Sequence, residues 1–343
     1  MSTDDKKSPA PTAPAAEVFK SITVSTEHAG KRLDRFLVDA VPDLSRARVK
    51  AMIDDGQVKV NGRRARKGDS VGEGVVIDLL APPPPRDFTP IAKDDASIVA
   101  RFDDADVAVL EKPAGVPTHP LRADETGTLA NVIAARWPAT KEIGFARREP
   151  GLLHRLDTDT SGLVIVAKTA AAFEALRDAS RDGRITKRYL ALVEGNVAAE
   201  GRVDYPLVPH RKDPKRVEAV TPHVRLRAGT RTNEAHTRYR PVRALHAAPA
   251  ASAGLPQEYT LVEVELETAF RHQVRVHLAT VGHPLLGDTL YRGPDASSEL
   301  GLTRHFLHAT EVIFPHPRSG EVTRVTSALP KDLSGVVDRL RAR

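Results

Sequence analysis

The chain has 343 residues, 41% of them hydrophobic and 28% charged, a balance that suits two soluble domains with real cores. It contains no cysteine, which excludes disulfides, Cys-ligated zinc, iron–sulfur clusters and every thiolate nucleophile. The net charge is +6 and it is local: residues 31–67 carry eleven Lys/Arg against five Asp, which accounts for the whole excess.

Residues 1–20 are Pro, Ala, Ser and Lys with few large apolar groups, so they read as a disordered tail. They contain no apolar stretch of signal-peptide length, and the longest clean apolar run, residues 163–167, falls far short of the ~20 residues of a membrane helix. The expected location is therefore the cytoplasm, with no membrane contact. Leu33, Phe36, Leu37 and Ala40 recur at helical spacing and Pro42 stops the run; Ser45 is a fitting cap for a second helix that buries Val49, Met52 and Ile53 and ends at Gly56. Arg46 and Lys50 then share its open face. Residues 58–60 alternate as a strand, Asn61-Gly62 is a two-residue hairpin turn, and residues 71–80 read as the returning strand. This basic helix–helix–hairpin unit spans residues 21–80. Its cations Arg46, Arg48, Lys50, Lys59, Arg63 and Arg64 suit a polyanion.

Pro82 to Pro85 form a stiff connection within residues 81–90, where the domain boundary is expected. The second domain is expected over residues 91–335 and a short tail over 336–343. Residues 107–110, 163–167, 186–193 and 261–266 read as strands, Thr169 caps a helix through Phe173 and Leu176, and residues 244–257 read as a surface loop. Strands and helices mix without regular βα alternation, so the fold class is α+β, with a mixed, mainly antiparallel sheet flanked by helices.

The densest polar cluster is His154-Arg155-Leu156-Asp157-Thr158-Asp159-Thr160-Ser161-Gly162, which runs straight into the buried strand 163–167. Ionisable groups fastened to a buried strand form a rigid loop of the kind chemistry needs; a turn whose side chains satisfy local backbone donors is the plain alternative. Asp157-x-Asp159-x-Thr also loosely resembles the aspartyl motif of haloacid-dehalogenase-type phosphohydrolases, but there the buried strand precedes the motif and here it follows.

The full run His154-Arg155-Leu156-Asp157-x-x-Thr160-Ser161-Gly162-Leu163 resembles the signature loop of the RluA-type pseudouridine synthases. Lys112-Pro113-Ala114-Gly115-Val116-x-x-His119, Lys187-x-Tyr189-x-Ala191-x-Val193, and His272-Gln273-Val274-Arg275-Val276-His277 followed by Gly282-His283-Pro284 and Gly287-Asp288 are similar to the family's other motifs, in the same order. The basic unit resembles the RNA-binding domain named after ribosomal small-subunit protein four.

The resemblance implies an enzyme that breaks the N1–C1′ bond of a uridine, turns the base and rejoins it through C5, with no cofactor and no metal. It implies Asp157 as nucleophile; addition to C6, attack at C1′ and assistance to glycal formation remain open routes. It implies Arg275 as the partner that keeps Asp157 ionised and aimed, Tyr189 against the target base as a candidate proton acceptor, and Arg155 filling the space left by a flipped uridine. Lys187 and Tyr189 alternate onto one strand face, away from Leu190 and Leu192. Read as one helix, residues 271–281 put Arg271 and Arg275 together at i, i+4.

His119, His154, His272 and His277 show no metal-site spacing and are expected to be structural or RNA-contacting. One departure stands out: Thr268-Ala269-Phe270-Arg271-His272-Gln273 replaces the family's usual Thr-Gly-Arg-Thr-His-Gln, so Ala269 must avoid positive φ.

The reading is a pseudouridine synthase acting on structured RNA, rRNA ahead of tRNA, with a monomer as the default state. Its rivals are an inactive RNA-binding or ribosome-assembly protein of the same fold and a magnesium-dependent phosphohydrolase built on Asp157 and Asp159.

Overall fold

The computed structural model describes residues 18–41, 44, 46–82, 88–227, 229–246, 258–266, 268–293 and 300–342. The chain divides into two units, Met1–Asp87 and Phe88–Arg343. Residues 1–17 of the tail expected over 1–20, Pro42, the Ser45 cap, Pro83 to Pro85 of the connection and residues 247–257 of the expected loop lie outside the described residues.

The first unit runs β1 (Lys20–Thr23), α1 (Leu33–Ala40), α2 (Arg46–Asp54), β2 (Val58–Val60), β3 (Arg63–Arg64) and β4 (Val76–Leu79). The apolar stripes of the sequence are the buried ones: Leu33, Phe36 and Leu37 from α1 and Val49, Met52 and Ile53 from α2 share a core with Val58, Ile77 and Leu79 of the sheet. Asn61 and Gly62 have φ of 47° and 77° and Val60 faces Arg63 across them, as a twist-compatible two-residue turn requires.

Two expectations are corrected. The strand returning from the turn is β3, and within residues 71–80 only β4 is strand, because Gly72 and Gly74 interrupt the run; β4 pairs with β1 and with β2. Lys20 belongs to β1 rather than to a tail, since the β4 edge would otherwise leave its backbone groups unpaired.

The second unit contains β5 (Val99–Asp103), β6 (Val107–Lys112), α3 (Leu129–Arg136), β7 (Ser161–Ala167), α4 (Ala170–Arg181), β8 (Thr186–Glu194), β9 (Gly201–Val203), β10 (Leu207–Pro209), β11 (Val217–Ala219), β12 (Thr237–His246), β13 (Glu258–Leu266), α5 (Gln273–Thr280), β14 (Leu307–Pro315), β15 (Val322–Thr326), α6 (Lys331–Arg339) and β16 (Arg341–Ala342). One sheet runs β16-β12-β13-β8-β14-β7-β6-β5, with β15 on β14 and β9 on β12. Its pairings are antiparallel except β7 with β14.

The sheet is covered on both faces, which is why β7 is buried along its whole length. Phe173 and Leu176 of α4 pack on Leu163 and Ile165. On the other face Val132 and Ile133 of α3 and Val274 and Leu278 of α5 pack with Val164, Val166 and Tyr189. Thr169 caps α4 by accepting from Ala172 N at 3.1 Å.

Two further readings are corrected here. Residues 244–246 belong to β12, whose pattern is broken by an irregularity between Pro241 and Arg243. Residues 336–342 are not a tail: Val336, Val337 and Leu340 are buried with Leu192 and Phe306, and Arg341 pairs with His246.

Candidate active site

The loop ahead of β7 is clamped from three sides. Lys112, fully buried, donates from Nζ to the carbonyls of Pro113 (2.9 Å), Val116 (2.7 Å) and Thr158 (2.9 Å). Thr118 Oγ1 donates to Leu156 O at 2.7 Å and accepts from Leu156 N at 3.1 Å. From the segment before β14, Arg304 Nη1 donates to Asp159 O at 3.1 Å, and His305 Nε2 lies 2.7 Å from Thr160 Oγ1. Gly162, at φ +122°, lets β7 and β14 meet: a Cβ there would lie 2.3 Å from Ala309 O. The loop thus hangs between backbone groups that cannot shift far.

Within it, Asp157 Oδ2 accepts from Arg275 Nη1 at 3.0 Å. Arg275, 7% exposed, is itself fixed by Asp288, which accepts from Nε at 2.7 Å and from Nη2 at 2.9 Å. The Tyr291 ring lies 5.4 Å from the guanidinium carbon. Such a fork holds a cation in one orientation. His272 starts α5 from a left-handed conformation, φ 58°. Gln273 secures that turn: its Oε1 accepts from Phe270 N at 3.0 Å and its Nε2 donates to His236 O at 2.9 Å.

Burial is the largest influence on Asp157 and opposes its ionisation, but His272, Arg275 and His305 and the hydrogen bond from Arg275 outweigh it, so the carboxyl sits below its usual range. His272 is pushed down to about 4 and His305 to about 3, chiefly by burial. Both rings are therefore neutral at pH 7, and Arg275 is the standing charge beside Asp157. Burial and then Asp157 push the Tyr189 hydroxyl well above its usual value, so Tyr189 is a neutral phenol at physiological pH.

Asp157, Tyr189, Arg275 and Arg155 line one narrow cavity of about 40 Å³ with Phe270 and His272. A wider cleft of about 890 Å³ adjoins it and shares Arg155, Leu266, Ala269 and Phe270. Arg155 stands exposed at this junction, and no hydrogen bond or ion pair ties it among the described residues. Ala269 is not among the positive-φ residues, so the backbone tolerates the replaced glycine, and Phe270 puts an exposed ring at the mouth of both cavities.

The expected Arg271–Arg275 pair does not form. The helix begins only at Gln273, and Arg271 lies before it, donating to the carbonyls of Pro214 (2.9 Å) and Arg216 (3.0 Å). The carboxylate opposite Arg275 that sequence reading left without a role is Asp288; the Gly287-Asp288 pair was its only signal. His277 bridges Thr237 Oγ1 (2.8 Å) and Tyr205 O (2.9 Å). Among the described residues the group able to gather round a cation is Asp104, Asp106 and His316; it contains neither Asp157 nor Asp159, and Arg318 grips Asp106 at 2.6 and 2.8 Å.

In the first unit Arg46 and Lys50 are exposed and line a groove of about 230 Å³ together with Arg66 and Lys67. Arg48 and Lys59 are half-buried. Arg63 pairs with Asp69 at 3.1 Å and Arg64 donates to Asp54 O at 2.5 Å, so these two serve the unit's own structure.

The α+β unit thus holds a cation-steered aspartate beside a buried tyrosine in one cavity, and the chain carries a separate cationic unit. Residues 106–280 match the family described as RNA pseudouridylate synthase, and residues 31–77 match the S4 domain. The chain is 39% identical over 322 residues, 94% of each sequence, to a Chloroflexus aurantiacus protein named as an uncharacterized RNA pseudouridine synthase. It is 33% identical over 341 residues, 96% of each, to ribosomal large subunit pseudouridine synthase D of Yersinia pestis. Human RNA pseudouridylate synthase domain containing 1 shares the fold, with a TM-score of 0.54 at 22% identity over 72% of this chain and 89% of that one. The chain belongs to the RNA pseudouridine synthase family, of the RluA type, and is an isomerase.

Proposed function

We propose that the protein converts specific uridines of large-subunit rRNA to pseudouridine, with Asp157 as nucleophile, from a cytoplasmic location. The observation that carries this reading is the convergence of Asp157, Tyr189 and Arg275 on one cavity. The rRNA substrate is supported by the relative named for the large ribosomal subunit and by the exposed cations of the S4 unit, which suit phosphates without reading sequence.

In this reading the target uridine leaves its stack, Arg155 fills the gap, and the base enters beside Tyr189. The N1–C1′ bond breaks, the base turns, C5 bonds to C1′, and the C5 proton leaves while N1 gains one, so nothing is consumed. Arg275 keeps Asp157 ionised for its part. Tyr189 enters as a neutral phenol, so it can take the C5 proton only by passing on its own.

The test is tritium release from rRNA transcribed with C5-tritiated uridine, comparing wild type with Asp157→Ala in excess EDTA. Release by wild type alone is the expected result. Equal release by the variant removes Asp157 from the chemistry, and loss of wild-type release in EDTA would favour a metal-dependent reaction instead.

A further inference from the structure

The cleft that adjoins the catalytic cavity carries two donors with nothing to donate to. Ile165 N–H donates to His154 Nε2 at 3.1 Å. A ring nitrogen that accepts carries no proton, so the neutral ring must carry it on Nδ1. The ring is indeed neutral, pushed down to about 3 by burial and then by the charge of Lys187. That Nδ1 is buried with no hydrogen-bond partner.

Lys187, 4% exposed, lines the same cleft, and no hydrogen bond or ion pair meets its ammonium among the described residues. The carboxylates of the cleft are committed elsewhere: Glu149 to Arg148 at 3.3 Å, Asp182 to Arg184 at 3.2 Å and Glu265 to Arg188 at 3.0 Å. A buried donor without an acceptor is costly, and here a neutral donor and a cation share one wall. A ligand with negative charge and several acceptor oxygens answers both.

Its position narrows the chemistry. Lys187 and Tyr189 lie on one face of β8, two residues and so about 7 Å apart. Tyr189 lines the catalytic cavity and Lys187 the cleft, so a nucleotide whose base lies against Tyr189 carries its sugar–phosphate toward Lys187.

We infer that His154 Nδ1 and Lys187 Nζ form a phosphate subsite that receives one RNA backbone phosphate next to the uridine being isomerised. The assignment rests on the reading that the uridine enters at Asp157. It makes Lys187 a positioning residue for the substrate, outside the bond-making step.

The experiment uses the full-length protein and a large-subunit rRNA fragment carrying single neutral methylphosphonate linkages around the responsive uridine, with affinity read by filter binding and turnover by tritium release. For wild type, one linkage should cost about tenfold in affinity, the scale of one charge-assisted hydrogen bond. Lys187→Met should raise KM about tenfold with little change in kcat, flatten the salt slope by about 0.7, and be indifferent to that linkage. Lys187→Arg, which keeps the charge, should restore the sensitivity and controls for folding. Equal losses by wild type and Lys187→Met at every linkage would overturn the subsite, as would an unchanged KM and salt slope. Binding is read without turnover, so a wild type that binds with linkage selectivity but releases no tritium would count against the Asp157 reading alone.

Discussion

Arg275 and Asp288 face each other through two parallel hydrogen bonds, Nε to Oδ2 at 2.7 Å and Nη2 to Oδ1 at 2.9 Å, which leaves Nη1 to meet Asp157 at 3.0 Å. Asp288 thus sets the direction in which Arg275 points. Asp288→Asn puts an amide donor against one of the guanidinium donors and leaves the buried cation half-paired. A loss of about 3 kcal/mol is expected, together with a fall in kcat larger than any change in RNA affinity. Thermal melting and tritium release measure the two effects. Unchanged kcat in a folded variant would remove Asp288 from the steering of Arg275.

The acid side of the pH profile should be empty through the histidine range. His272 and His305 are held neutral, at about 4 and about 3, chiefly by burial, and Asp157 lies below its ordinary 3.8. A carboxyl lowered in the folded state adds stability above its unfolded pKa and loses it as pH falls through the folded one. Both the stability from the Asp157–Arg275 pair and the contribution of Asp157 to kcat/KM should therefore hold down to about pH 5 and fail only below about 4. An inflection in kcat/KM near pH 6.5 that disappears in His272→Asn would contradict this assignment.

Lys112 is expected to matter chiefly through the backbone it holds. Lys112→Met strands the carbonyls of Pro113 and Val116, each orphaned acceptor costing about 1–3 kcal/mol, while Thr158 O keeps its bond from Gly115 N at 2.9 Å. Chemical denaturation should show a loss of about 3 kcal/mol or more, and any folded fraction should bind RNA while turning over slowly. Normal kcat at full occupancy would mean that the loop keeps its shape without this clamp.

Neutralising Arg46 and Lys50 together should weaken RNA binding and lower the slope of log K against log[salt] by about 0.7–0.9 for each phosphate that these side chains neutralise in the wild type. Binding titrations between about 50 and 200 mM salt give the slope. Affinity at low salt that survives both substitutions would remove the α2 face from RNA docking. Arg64→Ala should act differently, loosening the unit, because its guanidinium rests on Asp54 O and on Gly56.

What could be read from the sequence was local. The stripes of α1 and α2, the Asn61-Gly62 turn and the loop at Asp157 are each written within a few residues, so spacing alone exposes them. Asp288 was out of reach because its meaning depends on Arg275, thirteen residues back, and on Asp157, on another element altogether. β14 escaped because His308, fully buried against Ser161 and Ser327, breaks its apolar pattern. Arg271 was misplaced for a conformational reason: His272 takes a left-handed φ that no periodicity rule anticipates.

The order of strands in the sheet carries a consequence for how the molecule is made. β14, residues Leu307–Pro315, lies between β7 and β8, so both expose unpaired edges until more than a hundred further residues have been synthesised. The S4 unit closes over short sequence separations and should form early on the ribosome. The catalytic sheet depends on non-local pairing, which is intrinsically slow and open to aggregation. Arg304 and His305, which fasten the Asp157 loop, come just before β14. A nascent chain should therefore be able to bind RNA well before it can act on it, and competence for catalysis arrives with the last sheet strands to be made.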